Sequence, residues 1–249
     1  MAAQACGIDI GGSGVKGALV DLETGELTSE RVRIPTPQPS TPDAVAETCR
    51  EVLTQLGVGP ETPVGITFPA PIVHNVVTFM ANLDQAWVGV DVNALMLRHL
   101  GRPVTALNDA DAAGLAEVAF GAAKGVTGEV IVTTLGTGIG SAIVVDGTLV
   151  PNTELGHLEL DGHDAESRAS AGQRTRRKLS WKKWAKRLQR YYSHLEMLFS
   201  PDLFVVGGGV SSNHEKWMPL LHLATPMVPA TLLNTAGIVG AAYEASRRA

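Results

Sequence analysis

The sequence predicts an α/β protein built by duplication, and three observations carry that prediction. Residues Cys6-Gly7-Ile8-Asp9-Ile10-Gly11-Gly12-Ser13-Gly14-Val15-Lys16-Gly17-Ala18-Leu19-Val20 read as strand, glycine turn and strand. The pattern returns about 125 residues later, with Glu129–Leu135, the turn Gly136-Thr137-Gly138-Ile139-Gly140, and residues 141–145. Helical and short apolar strand patterns follow each copy. The expected result is two β-rich lobes facing each other across a cleft. Residues 1–107 form the first, with the C-terminal helix 236–249 packing back on it, and residues 108–235 form the second.

The first turn has a chemical character of its own. Gly11, Gly12 and Gly14 leave no Cβ in the way, so successive N–H groups can converge on an anion. Ser13 adds a hydroxyl and Lys16 a point charge. Asp9 ends the first strand, where it can position a metal-bound water or the lysine. An ordinary glycine hairpin is the alternative. The stretch fits neither the P-loop, which needs Gly-Lys-Ser/Thr after four free positions, nor the dinucleotide fingerprint, which needs a helix next.

Composition narrows the class. The 249 residues are 45% hydrophobic and 18% charged, as in ordinary globular proteins. No apolar run reaches the length of a membrane helix. Residues 1–5 show neither a basic region nor an apolar core, so no signal peptide is expected. Only Cys6 and Cys49 are present. That argues against a disulfide framework and a cysteine zinc site, and it suits the cytosol. The formal net charge is -5, unevenly spread. Residues 168–190 hold 10 of the 20 Lys and Arg and no acid. The rest carries the other 10 against all 25 Asp and Glu, a balance of -15. This asymmetry points to a polyanionic partner for one patch; a solvated helix face is the plainer reading.

The elements follow in order. A third strand is expected over 27–34, then a stiff loop with Pro35, Pro37 and Pro39. Thr41 as N-cap and Pro42 at the first position open a helix to about Leu56, with Val45, Val52, Leu53 and Leu56 on one face and Gly57 ending it. Val64–Phe68 is a buried strand; Asn82 and Trp87 lie in the irregular stretch after it. Asp91 caps a helix through Leu100, and a strand over 104–107 runs into Asn108-Asp109, where an alanine-rich helix starts. Asp146-Gly147 is a hairpin turn. Ser180 caps the helix Trp181–Phe199, whose apolar face is Trp184, Leu188, Tyr191, Leu195 and Leu198, with Lys182, Lys183, Lys186, Arg187 and Arg190 mostly elsewhere. A strand over 203–206 enters Gly207-Gly208-Gly209, and the small-residue helix Ala236–Arg248 closes the chain.

Anion-binding turns and a carboxylate at a strand end suit phosphoryl transfer, which needs positioning, charge neutralisation and a base for the incoming hydroxyl. Asp109 is the candidate base, because strand-to-helix junctions project side chains into clefts in α/β proteins. Plain N-capping by Asn108-Asp109 is the alternative. Glu154 and His157 are candidates for hydrogen bonds to sugar hydroxyls. A metal role is disfavoured, since His157 and His163 have no cysteines near them.

Over residues 7–242 the chain resembles the ROK family (repressors, open reading frames and kinases) of sugar kinases, with the actin-like, ribonuclease-H-like duplicated ATPase fold. Gly7-Ile8-Asp9-Ile10-Gly11-Gly12-Ser13 with Lys16 matches its first phosphate motif and Leu135-Gly136-Thr137-Gly138-Ile139-Gly140 its second. Asn108-Asp109 matches the pair in which asparagine binds glucose and aspartate takes the 6-hydroxyl proton. Glu154-Leu155-Gly156-His157 matches the Glu-x-Gly-His sugar motif, and Asn82 the asparagine on the 3- and 4-hydroxyls. Gly207-Gly208-Gly209 matches the run near the adenosine. The resemblance implies donor contacts at Asp9, Gly11, Gly12, Ser13, Gly14, Lys16, Thr134, Gly136, Thr137, Gly138, Gly208 and Gly209.

Three departures qualify the match. The family's cysteine zinc loop is missing, so no zinc is expected, and Glu166 resembles the sugar-binding glutamate that follows it. The family's Pro-Gly is Pro69-Ala70. The basic stretch 168–190 takes the place of the zinc-loop region. With Ser180-Trp181-x-x-Trp184, Ser200-Pro201-Asp202-Leu203-Phe204 and Asn234-Thr235-Ala236-Gly237-Ile238-Val239-Gly240, it is similar to the family's polyphosphate-using actinobacterial glucokinases. That implies glucose as acceptor, inorganic polyphosphate and ATP as donors, Mg²⁺ carried by the donor phosphates near Asp9, a homodimer, and a cytoplasmic setting without nucleic acid or membrane. Lys182, Lys183, Lys186 and Arg187 are the expected polyphosphate track. The alternatives are an ATP-only hexokinase or glucomannokinase, and a sugar-sensing repressor, for which no DNA-binding domain is expected ahead of Gly7.

Overall fold

The computed structural model describes residues 4–249. The chain divides into two compact units, Met1–Ala116 with Thr235–Ala249, and Glu117–Asn234.

The first unit runs β1 (Gln4–Gly11), β2 (Gly14–Asp21), β3 (Val32–Ile34), α1 (Pro42–Gln55), β4 (Val64–Phe68), the short hairpin β5 (Ile72–Val73) and β6 (Val76–Val77), α2 (Val92–Leu100), β7 (Thr105–Asn108) and the start of α3 (Asp109–Ala119). Its sheet has the order β3-β2-β1-β4-β7. β1 and β2 are antiparallel, whereas β4 and β7 join in parallel. The second unit holds β8 (Glu129–Leu135), β9 (Ile139–Val145), β10 (Thr148–Val150), the hairpin β11 (Glu159–Leu160) and β12 (His163–Asp164), α4 (Glu166–Ala169), α5 (Ala171–Arg176), α6 (Trp181–Phe199), β13 (Leu203–Gly207) and β14 (Met227–Pro229). Its sheet order, β10-β9-β8-β13-β14, repeats the first with each strand in the corresponding place. The duplication read from the glycine turns is therefore a duplication of sheet topology.

The closing helix α7 (Ala236–Arg248) packs on β1 and β4 of the first unit. Its small residues have a geometric reason. A Cβ at Gly7 or at Gly65 would come within 1.9 Å of the α7 carbonyls of Ile238 and Ala241. Glycine in both strands lets helix backbone lie directly on sheet backbone. The first core adds Ile8, Ile10, Ile66 and Phe68 from the sheet to Val45, Cys49 and Val52 from α1. The second sets Ile131, Phe204 and Val206 against Trp184, Leu188, Tyr191 and Tyr192 of α6, with Trp217. Among the described residues no helix is long and apolar enough to cross a membrane.

Three local expectations are corrected. The strand expected over 27–34 shrinks to Val32–Ile34, with Leu27 making only an isolated bridge to Val20. The Ser29 hydroxyl accepts from the Leu19 amide, taking a donor that strand pairing would have used. Thr41 occupies the α1 N-cap position, yet its side chain makes no capping bond. Leu198 is 50% exposed, because the buried stripe of α6 follows Trp184, Ala185, Leu188, Tyr191, Tyr192 and Leu195.

One buried carboxylate holds a corner of the second unit together. Glu117 is fully buried, and its Oε2 accepts from the Ala122 amide at 2.8 Å and from the Thr231 amide and hydroxyl at 3.2 Å. Its Oε1 accepts from the Leu232 amide at 2.8 Å. Glu117→Ala leaves three amides without this acceptor and should lower unfolding free energy by about 3 kcal/mol. A denaturant midpoint equal to the parent's would refute that weight.

Candidate active site

In the first unit the β1–β2 register pairs Gly11 with Gly14, leaving Gly12-Ser13 as a two-residue turn. The same register sets Lys16 opposite Asp9, and Lys16 Nζ donates to Asp9 Oδ2 at 2.9 Å. Thr67, opposite Asp9 on β4, donates its hydroxyl to Asp9 Oδ1 at 3.1 Å. The carboxylate is thus oriented from two sides and still 21% exposed. Mg²⁺ keeps several waters when it rides on substrate phosphates. A carboxylate held this way, with lone pairs to spare, fits a role of accepting from such a water.

Arg33 is a neighbour of this turn that sequence reasoning missed. It stands opposite Lys16 on β3, and its Nη2 donates to the Ser13 carbonyl at 3.0 Å. A Cβ on Gly14 would sit 3.0 Å from that guanidinium, so the glycine makes room for it. Cross-strand register was the missing signal, since β3 is only three residues long. Asn82 is brought to the turn by its backbone. Its carbonyl lies 3.1 Å from where a Gly12 Cβ would be. The following segment is pinned by the buried Trp87, whose Nε1 donates to the Ser40 carbonyl at 2.9 Å, and by the Asp84 amide on Ser40 Oγ at 3.0 Å.

Asn108 and Asp109 sit where β7 becomes α3. The parallel register puts Thr67 beside Leu107 and Phe68 beside Asn108, so Asp9 and Asn108 lie near the same ends of strands two places apart, roughly 10 Å at sheet spacing. Asn108 is buried, and its Oδ1 accepts from the Ala110 and Asp111 amides at 2.8 and 3.2 Å. It does cap the helix, and its amide NH₂ remains a donor beyond that role. Asp109 is exposed, with Oδ1 accepting from the Ala110 amide at 2.8 Å.

In the second unit the β8–β9 register pairs Leu135 with Ile139 around Gly136-Thr137-Gly138, with Thr134 just before the turn. Glu166, at the start of α4, accepts from the Ile139 amide at 2.9 Å, and a Cβ on Gly138 would lie 2.3 Å from its carboxylate. Glu166 therefore braces the second turn as well as lying among the sugar candidates. Gly172 at the start of α5 donates its amide to the Gly136 carbonyl at 2.9 Å. Gly208 has a positive φ of 83°, and a Cβ there would meet the Leu135 carbonyl at 2.4 Å. Only glycine brings the end of β13 this close to the turn, and Gly209 continues from it.

Glu154 precedes a single turn of 3₁₀ helix, Leu155–His157, and His157 is its last residue. His157 Nδ1 and Asp164 Oδ2 are 2.7 Å apart, a partner the sequence did not reveal, because the β11–β12 hairpin folds Asp164 back. The Asp164 bond raises the His157 pKa, and the carboxylates of Glu166 and Glu154 add to it. Burial raises the Glu154 pKa; His157 opposes this and Glu166 reinforces it. Ligand atoms of His157, Asp164 and Glu166 lie within 4.8 Å of one another. His157 is already bonded to Asp164 and Glu166 to Ile139, so the group forms a hydrogen-bonded frame. Asp164→Asn should bring the His157 pKa down toward its ordinary value of about 6.5. Histidine resonances titrated by NMR would show the shift; an unmoved His157 would remove Asp164 from the role.

The expected track divides over two flanks of α6. Lys182 and Lys186 face the segment 219–222 and are exposed. On the other flank Arg187 is partly buried and donates to the Arg168 carbonyl at 2.9 Å, and Arg190 pairs with Asp161 at 2.8 Å. Burial lowers the Arg187 pKa, as do the nearby Arg177 and Arg168.

Known proteins are similar to this chain over nearly its whole length. The chain is 51% identical over 237 residues to the polyphosphate glucokinase of Mycobacterium tuberculosis, covering 95% of this chain and 89% of that one. The crystal structure of inorganic polyphosphate/ATP-glucomannokinase from Arthrobacter sp. strain KM superposes with a TM-score of 0.91 at 56% identity, covering 99% and 100% of the two chains. A ROK family glucokinase from Streptomyces griseus shares the fold at 24% identity and a TM-score of 0.84, covering 98% and 99%. The family model described as ROK matches residues 5–175. With both glycine turns, the Asn-Asp junction and the Glu-x-Gly-His frame standing on a duplicated actin-like fold, the chain belongs to the ROK family.

Proposed function

We propose that this chain phosphorylates glucose at the 6-hydroxyl, using inorganic polyphosphate and ATP as donors, and releases glucose 6-phosphate. The observation that carries the reading is the pair of phosphate motifs, the Asn108-Asp109 pair and the Glu-x-Gly-His motif in a chain 56% identical to a polyphosphate/ATP-glucomannokinase along its whole length. Asn82, Asn108, Glu154, His157 and Glu166 pair with sugar hydroxyls. Asp109 accepts the 6-hydroxyl proton as that oxygen bonds to the terminal phosphorus. The bond from that phosphorus to its bridging oxygen breaks, and ADP or a polyphosphate shorter by one unit leaves. The amides of the two glycine turns, with Ser13, Thr134, Thr137 and Lys16, hold donor phosphate oxygens, and Gly208 and Gly209 lie under the adenosine. Asp9 would hold a donor-borne Mg²⁺ through a water, and the ion would supply charge neutralisation at the donor phosphates. A cytosolic homodimer completes the reading, supported by the family resemblance and by two buried free cysteines.

The glucomannokinase likeness favours a second acceptor, mannose. A coupled assay crossing polyphosphate and ATP with glucose and mannose tests both points. Turnover of glucose with both donors is the expected outcome. Turnover with ATP and none with polyphosphate would select an ATP-only sugar kinase instead.

A further inference from the structure

The 10 cations of residues 168–190 make one ion pair among the described residues, Arg190 with Asp161. Such a concentration of positive charge repels itself unless an anion joins it. Part of it borders a cavity of ~420 Å³, lined by Lys182, Ala185, Lys186, Gln189, Pro219, Leu220 and His222. No carboxylate is in that lining. Lys182 and Lys186 stand one helical turn apart, a like-charge spacing that destabilises a helix, and neither ammonium has an ion pair among the described residues.

The opposite wall is built in rather than draped. Buried Trp217 stacks edge-on against Trp184 of α6, ring centroids 5.3 Å apart, which fixes the start of the wall. Gln189 clasps its end, donating Nε2 to the His222 carbonyl at 2.9 Å and accepting the His222 amide at 2.6 Å. His222 is thereby held beside the two lysines before any ligand arrives. Ala185, Pro219 and Leu220 add apolar surface beside the two ammonium groups. The basic segment also begins at the second glycine turn, through the Gly172 bond to Gly136. A linear donor with one end at that turn has charged units left to run along the segment, whereas ATP ends in an uncharged nucleoside.

We propose that the cavity between α6 and residues 219–222, with Lys182, Lys186 and His222, is a subsite for distal phosphates of an inorganic polyphosphate chain. This rests on the donor reading above. The test compares parent, a Lys182→Gln/Lys186→Gln variant, His222→Gln, and Lys124→Gln as a control for lost charge outside the cavity. Gln keeps the helix propensity. On long polyphosphate the double variant should lose at least about tenfold in kcat/KM, with less than about twofold change on tripolyphosphate and ATP. Each lysine removed should lower the salt slope of long-chain affinity by about one. His222→Gln should show a smaller loss of the same pattern, and Lys124→Gln none. Equal losses on all three donors, or an unchanged long-chain kcat/KM, would overturn the subsite. Tighter binding of a single-stranded oligonucleotide than of polyphosphate, lost in the double variant, would overturn it in favour of nucleic acid. Calorimetry of long polyphosphate on the same proteins separates the two failures. A parent that uses ATP alone sinks the donor reading, while binding lost in the double variant still upholds the cavity as a polyphosphate site, and binding retained sinks it.

Discussion

Asp109→Asn is expected to cut kcat by roughly two to four orders of magnitude, the range of a general base, with glucose affinity close to the parent's. The position separates chemistry from folding. Asn108 already satisfies the Ala110 and Asp111 amides at the start of α3, and an asparagine at 109 can still accept from Ala110. The variant replaces the negative oxygen proposed to take the proton. Because the proton comes from the sugar, polyphosphate and ATP turnover should fall by the same factor. Retained turnover in a folded variant, or a loss on one donor alone, would take Asp109 out of the role. The folded state is checked by denaturation and glucose affinity by calorimetry.

What the sequence made legible was whatever is encoded within a few residues. Glycine runs bounded by apolar alternation located both turns, and the limits of β8, α6 and α7 follow from local patterns and caps such as Ser180, which accepts from the Lys183 amide. Asn108 and Asp109 stood out because a strand and a helix meet there. Partners set by pairing register did not stand out. Arg33 reaches Ser13 only because β3 aligns it with Lys16, and Asp164 reaches His157 only because a hairpin returns the chain. Glu166 was legible as a sugar candidate but not as the acceptor bracing Ile139. The α6 pattern separated its basic and apolar faces; it could not show that Trp217 and Gln189 bring residues 219–222 beside only one flank of the basic face. Periodicity reports the face of an element, and packing partners far along the chain report what that face meets.

Glu154→Gln is expected to raise the glucose KM by roughly 10- to 100-fold, since a hydrogen bond to a charged acceptor is worth about 1.5–3 kcal/mol. Its donor KM should stay within about twofold. The substitution keeps size and removes the charge, leaving His157 with Asp164 and Glu166 with Ile139. The pH dependence supplies a second reading. Burial raises the Glu154 pKa, with Glu166 adding to the effect, so this carboxylate protonates at a higher pH than an ordinary glutamate. Protonation turns one acceptor oxygen into a donor and weakens the grip on sugar hydroxyls. In the parent the glucose KM should therefore climb as pH falls through that raised pKa. In Glu154→Gln the climb should be missing, with the KM already high at neutral pH. A KM rise for the donor instead of glucose would assign Glu154 to the phosphate side. The same acid limb in parent and variant would assign that limb to another group and leave Glu154 without a charged contact to the sugar.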